Sequence, residues 1–316
     1  MSMYQKIWLV GVGPMGKHYF KVLTGLGVNF DVIGNRHATA SSFEQETGCS
    51  VHRGGIQNAL RNLDAPDLAI VAVPVGMLAA TASALVRGGT KRILLEKPGA
   101  LTIDELKTLD QSAVEQHCQV YIAYNRRFYE SVYLAKNIIS EDGGLLSVNF
   151  EFSEWAHIIG PLEAPQEIKD KWLIANSSHV IDLVFHLCGY PANWNAWQTG
   201  RLAWHGAGAR FCGAGITNTG VMFSYGSDWN APGRWGIELL TAKRRVYLRP
   251  LEEIQVGAHG ALNPVKLDLS GSDDFLYKPG LYKQTRAFIS GVDDCLCDIQ
   301  SQIKNVSYFN KIAGYS

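Results

Sequence analysis

The feature that most constrains the fold is a glycine-rich segment between an apolar strand and a helix. Residues 11–16 read GVGPMG, directly after the apolar run at 6–10 and ahead of apolar positions at helical spacing over 15–26. The first glycine permits a tight turn, and the second lets the backbone approach a pyrophosphate. The third lets the helix pack closely, with its N-terminus toward the negative charge. We interpret this segment as a dinucleotide-binding loop.

The residues that follow alternate between strands and helix-length segments. Continuous apolar runs predict strands at 30–34, 67–73, 92–96 and 119–123, with helices over 77–87 and 104–117 between them. Buried strands alternating with helices are typical of a doubly wound parallel sheet. We therefore predict an N-terminal Rossmann domain over residues 1–123.

Composition then changes, which indicates a second domain over 124–316. Seven of the eight tryptophans fall between Trp155 and Trp235. Short segments at 146–153, 220–225, 236–240 and 245–248 resemble strands joined by turns, and helices are predicted near 176–188 and 282–292. The expected fold class is α/β, with a Rossmann sheet followed by an α+β domain whose sheet is mostly antiparallel.

Charge and cysteine usage exclude several classes of function. The 29 basic and 29 acidic residues cancel, so nothing favours nucleic acid or an anionic membrane as a partner. No stretch reads as a signal peptide or a membrane span. The six cysteines contain no C-x-x-C pair, which predicts reduced thiols, a cytoplasmic protein and no metal site.

The end of the second predicted strand bears on cofactor choice. NAD-binding loops place Asp or Glu there to bind the ribose, whereas this chain has Asn35 followed by Arg36. An arginine can pair with a 2′-phosphate, so NADP(H) is favoured over NAD(H). The alternative is that Arg36 is a solvated loop charge.

A lysine lies where open α/β sheets place their ligands. Lys97 follows the predicted strand 92–96 and precedes Pro98, which keeps it extended at the carboxyl end of the strand. It could donate to a substrate oxygen and stabilise the alkoxide formed during hydride transfer. A surface lysine paired with Glu96 or solvent is an equally good interpretation of the spacing.

A second candidate lies on the predicted helix at 176–188. His179, Asp182 and His186 are spaced to share one helical face, and the other positions are largely apolar. His179 is a plausible general base, with Asp182 as its orienter. A capping pair at the helix start and, less favoured, a metal triad are the alternatives.

Four motifs together resemble the Gfo/Idh/MocA oxidoreductases. They are GVGPMG at 11–16, EKPG at 96–99, YNRRF at 124–128 and SSHVIDLVFHLCG at 177–189. The resemblance implies a Rossmann domain, a C-terminal domain with a large sheet, and oxidation or reduction of sugars, cyclitols or sugar nucleotides. It also implies that Lys97 is catalytic, often before a cis proline, and that Tyr124 and Asn125 line the cofactor–substrate junction. A homo-oligomer formed through the C-terminal sheet is a further expectation.

One position departs from the pattern that the resemblance implies. The family has an Asp four residues before the histidine, and this chain has Ala175 there, with Asn176 beside it. An amide cannot accept a proton as a carboxylate does, so proton transfer must run through His179 or water. The alternative function is a catalytically impaired regulatory or scaffold protein that still binds a dinucleotide.

The aromatic residues of the second domain suit a carbohydrate-like substrate, because a sugar ring has apolar faces and a polar rim. Arg126, Arg127 and Arg234 could bind an anionic group such as a diphosphate, or form structural ion pairs.

The predicted catalytic residues are Lys97, His179 and Asp182. The predicted cofactor-binding residues are Gly11, Gly13, Pro14, Met15, Gly16, Asn35, Arg36, Pro74, Glu96, Lys97 and Asn125. The predicted substrate-binding residues are Lys97, Tyr124, Arg126, Trp155 and His179.

Overall fold

The computed structural model describes residues 6–292 and 294–315 and divides the chain into two units. The first unit runs up to Tyr124 and takes in Leu281–Lys304, and the second contains Asn125–Gly280 and the residues from Asn305 onward. From the sequence alone, everything after residue 123 is predicted to belong to the second domain. The difference arises because 281–304 returns to the first sheet, to which it adds a strand and a helix.

The first unit contains a seven-stranded sheet in the order β15-β6-β5-β4-β1-β2-β3. The strands from β1 to β6 pair in parallel, and β15 is antiparallel to β6. The strands are β1 (Ile7–Val10), β2 (Asp31–Ile33), β3 (Val51–His52), β4 (Leu68–Val71), β5 (Arg92–Glu96), β6 (Gln119–Ala123) and β15 (Cys297–Asp298). The helices are α1 (Pro14–Gly25), α2 (His37–Thr47), α3 (Gly55–Asn62), α4 (Leu78–Arg87), α5 (Ile103–Glu115) and α11 (Leu281–Ser290), and α12 (Ile299–Ala313) begins here.

Burial explains why the central strands read as continuous apolar runs. Every residue of β1 and β4 is buried, because both faces of a doubly wound sheet are covered. Since β1 lies between β4 and β2, the strand order reverses beside the loop that follows β1. Open sheets of this kind bind ligands at that reversal.

The second unit is built on an eight-stranded sheet in the order β14-β13-β12-β11-β7-β10-β9-β8. Only β7 and β10 pair in parallel, and the other neighbours are antiparallel. The strands are β7 (Ser147–Phe152), β8 (Pro191–Thr199), β9 (Arg210–Thr217), β10 (Met222–Asp228), β11 (Trp235–Leu240), β12 (Arg244–Leu248), β13 (Gln255–Ala258) and β14 (Val265–Lys266). The helices are α6 (Glu130–Glu141), α7 (Ala156–Ile159), α8 (Gln166–Asp170), α9 (Ser178–Cys188) and α10 (Asp273–Leu276). The predicted fold class is confirmed.

Helix α9 forms the centre of this unit. It is buried almost all round, as expected for a helix with apolar residues on most of its surface. The Phe185 ring meets the Phe150 ring of β7 edge to face, with centroids 6.3 Å apart. This packing fixes the helix against the sheet and so sets where its few polar side chains lie.

Several elements were not predicted from the sequence. Helix α2 has weakly periodic apolar positions, α3 is only eight residues long, and β8 and β9 contain polar residues and glycines that resemble turns. Among residues 6–292 and 294–315, no helix has the length and apolar character that crossing a membrane requires.

Candidate functional site

The glycine loop after β1 uses its three glycines in three different ways. Gly11 has φ +116°, and a Cβ there would lie 2.2 Å from the Ala72 carbonyl oxygen. A Cβ on Gly16 would lie 2.0 Å from the Gly11 carbonyl oxygen, so this glycine lets α1 pack on the loop. Gly13 has an ordinary extended backbone, and a Cβ there would meet nothing within 4 Å. Only Gly13 lacks an internal reason to be glycine, which is the pattern expected where a ligand approaches the backbone.

This loop opens onto a cleft of about 580 Å³ within the first unit. That volume is in the usual range for small-molecule sites. Seven of the predicted cofactor-binding residues line it: Gly11, Gly13, Pro14, Met15, Asn35, Arg36 and Pro74. Gly16 supports the loop from behind, and Glu96, Lys97 and Asn125 are not among the residues that line this cleft.

The structure adds a second glycine turn that the sequence analysis missed. Gly54 and Gly55 have φ +90° and +73° and begin α3. They line the same cleft, and the Gly55 amide donates to the Gly34 carbonyl at 3.0 Å. The two consecutive glycines in the sequence indicate a turn, but the two-residue strand β3 before them is too short to be predicted from the sequence.

Asn35 and Arg36 are both exposed at the mouth of this cleft. Arg36 directly precedes α2 as its N-cap residue, and its side chain makes no ion pair with any described residue. Its charge is therefore accessible to a ligand.

Glu96 and Lys97 come at the carboxyl end of β5. The Tyr19 hydroxyl donates to Glu96 Oε1 at 2.8 Å, and burial together with that carboxylate raises the pKa of Tyr19. The Lys97–Pro98 peptide bond is cis, as the resemblance implied. Strand β5 is the second neighbour of β1, so Lys97 lies on the ligand-binding edge about 10 Å across the sheet from the glycine loop.

Tyr124 and Asn125 follow β6. Both are buried, and Asn125 Nδ2 donates to the Pro279 carbonyl at 2.9 Å within the second unit. A Cβ on Gly280 would lie 2.0 Å from the Asn125 carbonyl oxygen, so this loop packs tightly against Asn125. The contribution of these residues to cofactor binding stays a prediction.

Helix α9 is preceded by a π-helical turn, Leu173–Ser177, which contains Ala175. Such turns are rare and occur frequently at functional sites. His179 lies two residues beyond the turn, is buried, and has its ring centroid 6.1 Å from that of Trp235. The widened turn therefore brings the residues around Ala175 and His179 to one end of the buried helix.

Asp182 takes part in a buried ion pair. Arg127 Nε donates to Asp182 Oδ2 at 2.8 Å and Nη2 donates to Oδ1 at 2.6 Å, while Asn305 Nδ2 donates to Oδ1 at 2.9 Å. Burial raises the pKa of Asp182, and the arginine opposes that rise. The contacts of this carboxylate are thus structural, and its predicted role as the orienter of His179 stays a prediction.

Two other titratable side chains lie beside or on this helix, the buried Glu154 and the half-buried His186. Glu154 Oε1 accepts from Asn176 Nδ2 at 3.0 Å and from Ser177 Oγ at 2.6 Å. His186 has its pKa lowered to about 3, first by burial and then by the charges of Arg127 and Lys136. A carboxylate is therefore present beside the π-turn that carries Ala175, and His186 is neutral near pH 7.

A cluster of arginine and tryptophan side chains completes the second-unit site. The Arg126 guanidinium lies 4.8 Å from the Trp235 ring centroid, and that of Arg234 lies 5.6 Å from the same ring. Arg234 also stacks on Trp155 at 4.7 Å, and Trp155 Nε1 donates to the Gly233 carbonyl. Arg126, Trp155 and His179, all predicted to bind substrate, therefore belong to one set of contacts around Trp235. No group of three or more potential metal ligands occurs within the described ranges.

Comparison with known proteins gives a family match and one sequence relative. The model of the Gfo/Idh/MocA oxidoreductases, an oxidoreductase family with an NAD-binding Rossmann fold, matches residues 5–124. The scyllo-inositol 2-dehydrogenase (NADP(+)) IolW of Bacillus subtilis is 28% identical over 142 residues. That alignment covers 42% of this chain and 37% of the relative, which is little more than a third of its length.

Solved structures share the fold over nearly the whole chain. The UDP-N-acetylglucosamine 3-dehydrogenase GnnA of Acidithiobacillus ferrooxidans has a TM-score of 0.74 at 14% identity, covering 99% of this chain and 98% of that one. The WlbA dehydrogenase of Bordetella pertussis, in complex with NADH and UDP-GlcNAcA, has a TM-score of 0.72 at 17% identity, with 99% and 96% covered. A super-repressor mutant of Gal80p from Saccharomyces cerevisiae has a TM-score of 0.79 at 14% identity, with 99% and 96% covered.

Proposed function

Because residues 5–124 match the model of the Gfo/Idh/MocA oxidoreductase family, we propose that this chain transfers a hydride between a nicotinamide cofactor and a hydroxyl or ketone of a carbohydrate-like substrate. The observation that carries the proposal is the glycine loop. Gly11 and Gly16 are glycine for reasons internal to the loop, whereas Gly13 is open toward the cleft, as backbone contact with a pyrophosphate requires. The nicotinamide supplies or accepts the hydride.

The residues of the chain hold the substrate oxygen and its proton. We assign Lys97 Nζ as the donor to that oxygen, which stabilises the negative charge developing on it. His179 takes or gives the hydroxyl proton, because an imidazole nitrogen can both accept and donate a proton. Asp182 acts as a positioning residue, since its carboxylate holds Arg127 in the turn next to Arg126.

Arg36 supports a preference for NADP(H). Its guanidinium lies at the cleft without an ion-pair partner in the described ranges, and the relative IolW carries NADP(+) in its name. Because that relative is only 28% identical, its cofactor adds little support, and the proposed preference for NADP(H) rests on Arg36.

The open face of the second sheet supports the expected homo-oligomer. Its apolar side chains Trp197, Ile216 and Met222 are 57%, 45% and 61% exposed, and Ile216 and Met222 are register partners. Met222→Glu should shift the protein to monomer in sedimentation or light scattering, because it places a charge within this face. A wild-type protein that is already monomeric would contradict the interface.

Substitution of Lys97 tests the proposed chemistry. Lys97→Met should lower the rate of hydride transfer about 100- to 1000-fold, the range for removing a donor to a developing oxyanion. The readout is the absorbance of the reduced nicotinamide across a panel of sugars, cyclitols and sugar nucleotides. Lys107→Met, an exposed lysine of α5, is the matched control. Cofactor binding by fluorescence should be unchanged, and near wild-type turnover would remove Lys97 from the site.

Ala175 and the structural likeness to Gal80p support a second candidate function. A protein of this fold that binds the dinucleotide without turnover would serve as a regulatory or scaffold protein. Cofactor binding with no hydride transfer across the whole panel would favour this function. Turnover lost in Lys97→Met would exclude it.

A further inference from the structure

Two adjacent arginines of the 3₁₀ turn Asn125–Phe128 have opposite surroundings. Arg127 donates to the Asp182 carboxylate through both Nε and Nη2, and this ion pair is buried. Arg126 forms no ion pair with any described residue, and its Nε is buried without a hydrogen-bond acceptor. A buried donor without an acceptor is rare in native proteins and calls for an explanation.

Trp235, which contacts Arg126, also has a buried N–H group without an acceptor. Trp235 is 7% exposed, and within the described chain its indole Nε1 has no acceptor either. The two side chains are in contact, with the guanidinium 4.8 Å from the ring centroid. A cation–π interaction explains this stacking, but it leaves both N–H donors unused.

The charges around Arg126 are also unbalanced. Burial lowers the pKa of Arg126, and the positive charge of Arg234, which lies over the same tryptophan, lowers it further. Tyr129, Glu252 and Glu154 act in the opposite direction and raise that pKa. However, Glu154 accepts from Asn176 and Ser177, Glu252 accepts from Tyr129 at 3.2 Å, and neither forms an ion pair with Arg126.

We propose that Arg126, Trp235 and Arg234 form a subsite for an oxyanion carried by the substrate, either a carboxylate or a phosphate oxygen. An oxyanion accepts from Arg126 Nε and Trp235 Nε1, and its charge offsets the repulsion between the two guanidinium groups. Arg126 supplies the buried contact, and Arg234, which is exposed beside Trp155, supplies the outer one. The inference rests on the proposed function and narrows its substrate to acidic sugars or sugar nucleotides.

Two matched pairs of probes test the subsite and separate its two sources of charge. Glucuronate is compared with glucose for a carboxylate, and UDP-N-acetylglucosamine with N-acetylglucosamine for a diphosphate. Binding to the full chain saturated with NADP⁺ is measured by calorimetry. One anionic probe should bind at least about tenfold more tightly than its neutral partner, since a charge-assisted hydrogen bond contributes that much. Equal affinity within both pairs would overturn the proposal.

Variants of Arg126 assign the preference to this residue. Arg126→Met should abolish the preference for the anionic probe, and Arg126→Lys should keep part of it, because lysine retains the charge without the planar fork. Arg87→Met removes an exposed arginine of α4 and should leave the preference intact. A preference that persists in Arg126→Met at wild-type strength would contradict the subsite.

Hydride transfer to or from each probe is measured separately from its binding. An anionic preference that depends on Arg126, without turnover of any probe, would support the subsite and contradict the proposed oxidoreductase activity. Turnover of glucose or N-acetylglucosamine with affinities equal to those of their anionic partners would support the activity and contradict the subsite.

Discussion

The glycine loop of the first unit and the polar cluster of the second unit are built in opposite ways. The loop is formed by backbone atoms, and each glycine is required for a local reason: a positive φ, close packing, or open space for a ligand. The cluster is formed by side chains from the turn 125–128, α9 and β11, which lie far apart in sequence. A site made of backbone is therefore specified by a short motif, whereas a site made of side chains depends on how the elements pack.

The buried ion pair of the second unit should give the largest effect on stability. Arg127→Met leaves Asp182 buried without its counter-ion and should lower the free energy of unfolding by about 3–5 kcal/mol. Adding Asp182→Leu should recover part of the loss, because the uncompensated charge is then gone. Denaturant unfolding measures both. Arg126→Met is the matched control and should change stability little; equal losses in the two single variants would remove the distinction between these arginines.

The glycine loop should separate folding from binding. Gly11→Ala places a Cβ against the Ala72 carbonyl at a positive φ, which should cost about 3 kcal/mol of stability. Gly13→Ala meets no protein atom, so the melting temperature should barely change while cofactor affinity falls at least about tenfold. Thermal unfolding and cofactor titration give the two readouts. Wild-type cofactor affinity in Gly13→Ala would show that the pyrophosphate does not approach this residue.

Cofactor choice should depend on one side chain of the first unit. Arg36→Ala should weaken NADPH about 10- to 100-fold and leave NADH nearly unchanged, because only NADPH carries the 2′-phosphate. Arg61→Ala, an exposed arginine of α3, is the control. Equal losses for the two cofactors would assign Arg36 to general binding instead of phosphate recognition.

Acid should destabilise the second unit through His186. Its pKa is about 3 in the folded protein and about 6.5 when unfolded. The neutral side chain therefore contributes stability that is fully present above about pH 6.5 and is lost as pH falls toward 3, at no more than about 1.4 kcal/mol per pH unit. In His186→Leu, stability should fall less steeply over that interval, while His259→Leu, at an exposed position, should follow the wild type. Parallel curves for all three proteins would contradict the assignment.

The sequence was sufficient for the cofactor loop and for strands β1, β2, β4, β5 and β6 of the first sheet. The runs 92–96 and 119–123 predicted β5 and β6 to the residue, because most of the residues between their polar ends are apolar and buried. It also placed Lys97 at a strand end and His179 near a helix start. It did not show that 281–304 returns to the first unit, since pairing of β15 with β6 joins segments far apart in the chain.

The sequence by itself determined the dinucleotide loop. The positive φ of Gly11, the close packing at Gly16 and the open space at Gly13 are local properties, and the choice of glycine at each position already indicates them. Only the tertiary structure decided the roles of the two arginines at 126 and 127. They are adjacent and chemically identical, so no local pattern distinguishes them. Arg127 is paired because α9 brings Asp182 to it, whereas Arg126, which has no ion-pair partner among the described residues, lies against the Trp235 ring of β11.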